Sequence, residues 1–358
     1  MKKKLVALLR VLVSVGILVY LFNGIFHDEA RKLVPDLDTM SWSMREHVVW
    51  TQGPQALWDA FQKIDPLWFV GAVICAIIPG VLGVIRWRWI LQVQGLEVRF
   101  PRLLSISFIG MFFNAFMLGS TGGDVVKAWY VARETHHKKA EAVATVVVDR
   151  LIGLLTLFVI TIIMMAVFFR RVFEDPKLLW FSMATLAVVL STVLATIIGL
   201  WRGFADKFPG FRAWLERLPR YDTLRRMVDA YRVYASHPTV LTRTVLISFG
   251  VHFFSMLSIV CVGYGLGVRT ENGPVDYFLY LPIINSVTAV PITISGFGVR
   301  EGMYIKMFRE VGVPEATALV MSLLGYLAVL FWSIVGGVFF LTHRKEIPSA
   351  KVMATEEA

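Results

Sequence analysis

The sequence predicts an all-α, polytopic membrane protein, and three observations carry that expectation. Of its 358 residues, 56% are hydrophobic and 17% charged. Its mean hydropathy is +0.65. Several windows exceed the roughly 20 apolar residues that cross a bilayer core. A soluble domain of this length has too little interior for so much apolar surface. The net charge of +10 raises nucleic acid as a partner. The basic residues, however, fall in loops between hydrophobic segments, as membrane topology and anionic lipid contact require. No nucleic-acid partner is therefore expected.

The first segment, "MKKKLVALLRVLVSVGILVYLF", starts like a signal peptide but has no small-x-small cleavage site. It reads as a retained helix with its N-terminus inside. Continuous apolar helices are expected at 5–26, 66–92, 141–169, 178–201, 240–268 and 315–341. Two shorter hydrophobic stretches, 103–119 and 277–294, end in glycine-rich turns. If both crossed the membrane, 122–140 and 202–238 would lie outside, the second with eight basic residues against four acids. If each instead forms a re-entrant helical hairpin, both basic segments become cytoplasmic. The loop 27–66, with four basic and seven acidic residues, then lies outside. The hairpin reading fits the positive-inside tendency better, with Arg170 and Arg171 of "FFRRVFEDPK" as the exception.

The expected architecture is six full transmembrane helices plus two re-entrant hairpins. It is placed in the cell (cytoplasmic) membrane with both termini cytoplasmic. Turns at membrane depth must be shielded by protein or line a wet cavity, so other helices must wrap both hairpins. Residues 1–65 form a first helix and outer loop, 66–341 the main membrane domain, and 342–358 a cytoplasmic tail. Within the main domain, 203–237 is too polar to span. Leu224, Met227, Val228 and Tyr231 recur there at helical spacing, so it either lies on the inner leaflet or caps the helices. After His343 only a polar tail remains, and no soluble catalytic domain is expected to follow.

The two hairpin regions echo one another. Each has an apolar arm, a glycine turn, a short charged helix, a loop and an Ala-rich membrane helix. Gly123 lies 19 residues before Ala142, and Gly298 lies 18 before Ala316. With one hairpin opening inside and the other outside, this is an inverted repeat, an arrangement found in many secondary transporters.

Four stretches in order, "RWRWILQVQG", "GGDVVKAW", "VVVDRLIGLL" and "SGFGVREG", resemble the lysylphosphatidylglycerol synthase transmembrane family, also called flippase-like domain proteins. The resemblance covers roughly 66–341. It implies a multi-pass domain that moves a phospholipid between leaflets; in members where a soluble domain is fused, that domain makes an aminoacylated lipid. Without such a domain, the implied task is lipid transport or a related one, alongside a separate lipid-modifying enzyme. Members often have proline before the first glycine turn, where this chain has Leu118-Gly119. Many have an arginine near 325–326, where this chain has Gly325-Tyr326.

The candidate substrate-binding residues are Gly122, Gly123, Asp124, Lys127, Asp149, Arg150, Gly296, Gly298, Arg300 and Glu301. Gly122 and Gly123 open a helix whose free N–H groups and positive dipole end attract a phosphate or carboxylate. Alternatively, Thr121 caps that helix with Asp124 completing a capping box. Asp149 and Arg150 lie inside an apolar helix, where a charge requires a partner. Adjacent positions point about 100° apart, so these two need not pair with each other. Asp124 and a lipid phosphate are the candidate partners of Arg150, the alternative being a purely structural interhelix pair near the cytoplasmic side. The Arg300 fork suits a phosphate, and Glu301 would hold it or carry a proton. If the tips face one another, Lys127, Arg150 and Arg300 line one polar path.

Arg86 and Arg88, between Trp87 and Trp89, read as an interfacial anchor. His252, Asn114 and Asn285 read as satisfied interhelix polar groups, and Cys75 and Cys261 as small apolar residues. His136 and His137 diverge on a helix and do not form a metal pair. No catalytic constellation, metal motif or cofactor motif stands out. The leading function is translocation of a phospholipid or lipid-linked anion, with anionic membrane lipids as partners. The rivals are a membrane enzyme acting on a lipid phosphate or lipid-linked sugar, and a non-transporting scaffold.

Overall fold

The computed structural model describes residues 36–116, 122–135, 138–174, 176–200, 233–289 and 296–342, with residues 16 and 229 and most of 19–34. The hairpin-tip residues 117–121 and 290–295 lie outside the described residues. So do His136, His137, most of the first apolar segment and the amphipathic stretch around Leu224.

The described chain is helical and without strands. Helix α1 (19–31) leads to α2 (Trp42–Gln62). Then come α3 (Pro66–Val93), α4 (Phe100–Phe116), α5 (Gly122–Glu134), α6 (Lys139–Val167), the short α7 (Phe169–Glu174) and α8 (Pro176–Leu200). The second half holds α9 (Pro238–Gly265), α10 (Pro274–Thr288), α11 (Val299–Arg309) and α12 (Glu315–Thr342). Among the described residues, α3, α6, α9 and α12 are long and apolar enough to span a bilayer. Together they match four of the six expected spans, and α8 covers a fifth with 25 helical residues.

Their outer faces stay apolar. Helix α12 exposes Leu327, Phe331, Ile334, Val338 and Leu341, spaced four, three, four and three apart. An exposed stripe of that size suits lipid tails rather than water.

Local sequence sets the helix ends. Asp65 caps α3 by accepting from Leu67 N at 2.8 Å, with Pro66 at the first turn, where its missing N–H costs nothing. The expected outer loop 27–66 is mostly helical, which corrects the sequence reading. Val49, Gly53 and Ala60 of α2 recur on one face and are buried. A Cβ on Gly53 would overlap the Phe26 ring, so close packing on α1 organises a segment whose overall polarity reads as loop.

Helices α3 and α9 form the centre and run antiparallel. Asp65 N donates to Gly265 O at 2.9 Å, Ser258 Oγ to Ala72 O at 2.8 Å, and Arg86 Nη1 to Ser248 Oγ at 2.8 Å. One partner number rises as the other falls along the whole interface.

On this axis the two hairpins open at opposite ends. Lys138 Nζ donates to Gln94 O at 3.0 Å, tying the start of α6 to the end of α3. Arg102 pairs with Glu134 at 2.7 Å, tying the start of α4 to the end of α5. The α4–α5 hairpin therefore enters and leaves at the α3 C-terminal end. At the base of the second hairpin, Tyr277 of α10 stacks near Phe308 of α11, with ring centroids 5.1 Å apart. That base adjoins the α9 C-terminus, where Asp65 meets Gly265.

Each hairpin packs on the long helix that follows the other hairpin. Gly336 and Gly337 of α12 meet the Phe108 backbone and the Phe112 ring of α4. Thr161 of α6 bonds Ser286 of α10 at 3.0 Å. The same pairing pattern in both halves, about an antiparallel α3–α9 pair, is an inverted repeat.

Candidate functional site

Two adjoining, partly open chambers with charged and polar side chains among apolar ones lie within the inverted repeat. The first, about 370 Å³, is lined by the tip side of hairpin one and by α3, α6 and α9. The second, about 330 Å³, is lined by α3, α9, α10, α11 and α12. Pro79, Gly80 and Met111 border both. The expected single path through Lys127, Arg150 and Arg300 is thus divided. Lys127 and Arg150 line the first chamber and Arg300 the second.

Hairpin one is held by close approach at its glycines. A Cβ on Gly123 would overlap the Gly110 carbonyl oxygen, so only glycine lets α5 lie this near α4. Gly123 N donates to Asn114 Oδ1 at 2.7 Å. Gly122 is the first residue of α5; Thr121, the expected cap, lies outside the described residues.

Beyond the tip, Asp124 meets Arg150 at 3.3 Å, and the arginine side chain stays 43% exposed. Asp149 points elsewhere. It accepts from Arg86 Nε at 2.7 Å and lies 3.8 Å from Lys127 Nζ. Lys127 also stands over the Trp87 ring at 4.3 Å, and Trp87 Nε1 donates to Thr145 Oγ1 at 3.0 Å.

Arg86 overturns its sequence reading. It is no interfacial anchor but a buried partner of Asp149 and Ser248, whereas Arg88 is exposed at the helix end. A charge well inside an apolar segment was the available signal, and flanking tryptophans masked it. His252 donates Nε2–H to Gly153 O at 2.9 Å, a satisfied interhelix group as expected.

Hairpin two uses its glycines differently. Gly296 and Gly298 have φ of +77° and +86°, conformations that side chains resist. Glu301 is fully buried. Its Oε2 accepts from Gly298 N at 2.7 Å, and its Oε1 accepts from Arg300 Nη2 at 2.6 Å. Arg300 also donates to Ser322 Oγ at 3.1 Å. Its guanidinium lies 5.1 Å from the Phe297 ring and 4.8 Å from that of Tyr326. Tyr326 thus offers a π-face to this guanidinium.

Asn285 departs from expectation. It lines the second chamber, and its side chain has no partner among the described residues. Sequence reasoning also passed over Phe297, Ser322, Tyr304 and Ser255. All are common residue types in apolar helices, and only the rotational setting of each helix aims them inward.

The fold and its charged hairpin tips define an all-α polytopic membrane protein of the inverted-repeat kind. Residues 47–337 match the family described as the lysylphosphatidylglycerol synthase TM region. The chain belongs to that family. It is similar to a UPF0104 membrane protein of Pyrococcus horikoshii, 23% identical over 328 residues, which span 85% of this chain and 95% of the relative. A UPF0104 membrane protein of Methanothermobacter thermautotrophicus is 24% identical over 304 residues, 79% of this chain and 86% of the relative. One from Methanocaldococcus jannaschii is 23% identical over 301 residues, 80% and 88% respectively.

Proposed function

We propose that this protein translocates a phospholipid or lipid-linked anion between the leaflets of the cell membrane by alternating access. The observation that carries the reading is the pair of polar chambers back to back at Gly80 and Met111, inside an inverted repeat whose hairpins open at opposite ends. A head group would cross through the chambers while its acyl chains stay in lipid, and rocking of one half against the other would expose each chamber in turn. Lys127 and Arg150 would meet the anionic group first. The termini are assigned to the cytoplasm on the positive-inside tendency. Arg171, an apparent exception to that tendency, is held by the buried Asp276.

The test is reconstitution. Purified protein in liposomes should accelerate flipping of a labelled anionic phospholipid, and Arg150→Ala and Arg300→Ala should each slow it. Flipping no faster than in empty liposomes, across a broad lipid panel, would refute the proposal.

A further inference from the structure

The two chambers differ in chemistry. Among the described residues, the first contributes three cations, Arg86, Lys127 and Arg150, against two carboxylates, Asp124 and Asp149, leaving one positive charge unbalanced with His252 neutral. Both carboxylates are engaged, Asp124 by Arg150 and Asp149 by Arg86 and Lys127.

In the second chamber the only lining charge among the described residues is Arg300, and buried Glu301 neutralises it. This chamber also presents uncharged hydrogen-bonding groups that are left over. Tyr304 is 3% exposed, and its hydroxyl lines the cavity with no partner among the described residues. The half-buried Asn285 amide and the exposed Ser255 hydroxyl line it as well, also without a partner among the described residues. These groups are free to exchange hydrogen bonds with whatever fills the chamber, water or ligand.

We infer that the transported head group is a phosphodiester bearing an uncharged, hydroxyl-rich substituent. The diester's single negative charge matches the one unbalanced cation of the first chamber, and the hydroxyls match Tyr304, Asn285 and Ser255 in the second. A phosphomonoester would bring a second charge with no cation to meet it. An amine-bearing head group, zwitterionic or aminoacylated, would bring a cation to chambers whose carboxylates are all engaged. The inference rests on the translocation reading and narrows its substrate. It also separates this chain from the aminoacylated lipid that the family resemblance implies.

Two measurements test it. In proteoliposomes, acyl-labelled phosphatidylglycerol and phosphatidylinositol should flip faster than phosphatidylethanolamine, phosphatidic acid or aminoacylated phosphatidylglycerol. Tyr304→Phe combined with Asn285→Leu should erase about tenfold of that preference, the scale of losing one or two hydrogen bonds. Equal flipping of amine-bearing lipids, or a preference that the double variant leaves intact, would overturn the inference and leave translocation standing.

The second measurement does not depend on transport. Detergent-solubilised protein should bind dihexanoyl-phosphatidylglycerol more tightly than dihexanoyl-phosphatidylethanolamine, and the double variant should lose the difference. If nothing flips, translocation fails and this comparison alone decides the head-group chemistry. Water-soluble glycerophosphoglycerol serves as competitor. Binding as tight as that of the short-chain lipid would point to a soluble diester and overturn a lipid substrate.

Discussion

The two halves share one backbone plan and solve it with opposite chemistry. In the first, the hairpin supplies the anion Asp124 and the following span the cation Arg150. In the second, the hairpin supplies both members of its pair, Arg300 and Glu301, and the span adds only the Ser322 hydroxyl and the Tyr326 ring. The glycines diverge in the same way. Gly123 is small so that two helices can touch, whereas Gly298 is glycine because its φ is positive. A repeat thus preserves where helices go while leaving each chamber free to set its own charge. The first chamber keeps a surplus cation beside the partly exposed Arg150, and the second holds a charge pair that balances itself.

The contrast can be broken most forcefully at Glu301. Removing a fully buried carboxylate strands Arg300 and frees Gly298 N, so Glu301→Ala should destabilise the protein by about 3–5 kcal/mol, read as a lower chemical-denaturation midpoint in detergent. The first half has a counterpart in Arg86→Leu, which leaves Asp149 with Lys127 alone. A loss of similar size, about 3–5 kcal/mol, is expected, and the double change Arg86→Leu/Asp149→Leu should recover much of it. Failure of the double variant to recover would show that Ser248 and the packing of Arg86, rather than the ion pair, govern the site.

Next in size come the glycines. Gly123→Ala pushes α5 off α4, and Gly298→Ala forces a side chain into positive φ. Each should cost about 1–3 kcal/mol. Each loss is read as a lower denaturation midpoint in detergent, and no loss in Gly123→Ala would show that α5 does not need glycine to approach α4. Smallest is Arg150→Ala. Its pair with Asp124 is substantially exposed, so stability should change by no more than about 1 kcal/mol while lipid flipping falls. A large stability loss there would make the first chamber as structural as the second.

Much of this was legible in the sequence. Hydropathy with charge bias found both hairpins, because lipid-facing segments and basic loops obey separate, strong rules. Asp124–Arg150 and Arg300–Glu301 followed from the cost of a lone charge in lipid. What stayed hidden was rotation about helix axes. Helix α3 is apolar nearly all round, so no periodicity distinguished inward Arg86 from outward Arg88, and nothing marked Tyr304, Asn285 or Ser255 as facing a cavity. The fold of α2 was hidden for another reason. Its helicity depends on Phe26 sitting over Gly53, a contact between segments that composition cannot pair.

The seat of hairpin one against Gly336 and Gly337 sets an order of assembly. The face of α4 that carries Phe108 and Phe112 meets its final neighbour more than two hundred residues later in the chain. During synthesis that face must rest against lipid, the insertion machinery or a provisional partner until α12 arrives. The hairpin that lines the first chamber therefore lacks its backing helix while the ribosome is still extending the second half. A ribosome stalled before residue 336 should leave Phe112, replaced by cysteine, open to a membrane-soluble thiol probe, and release of the full chain should close it.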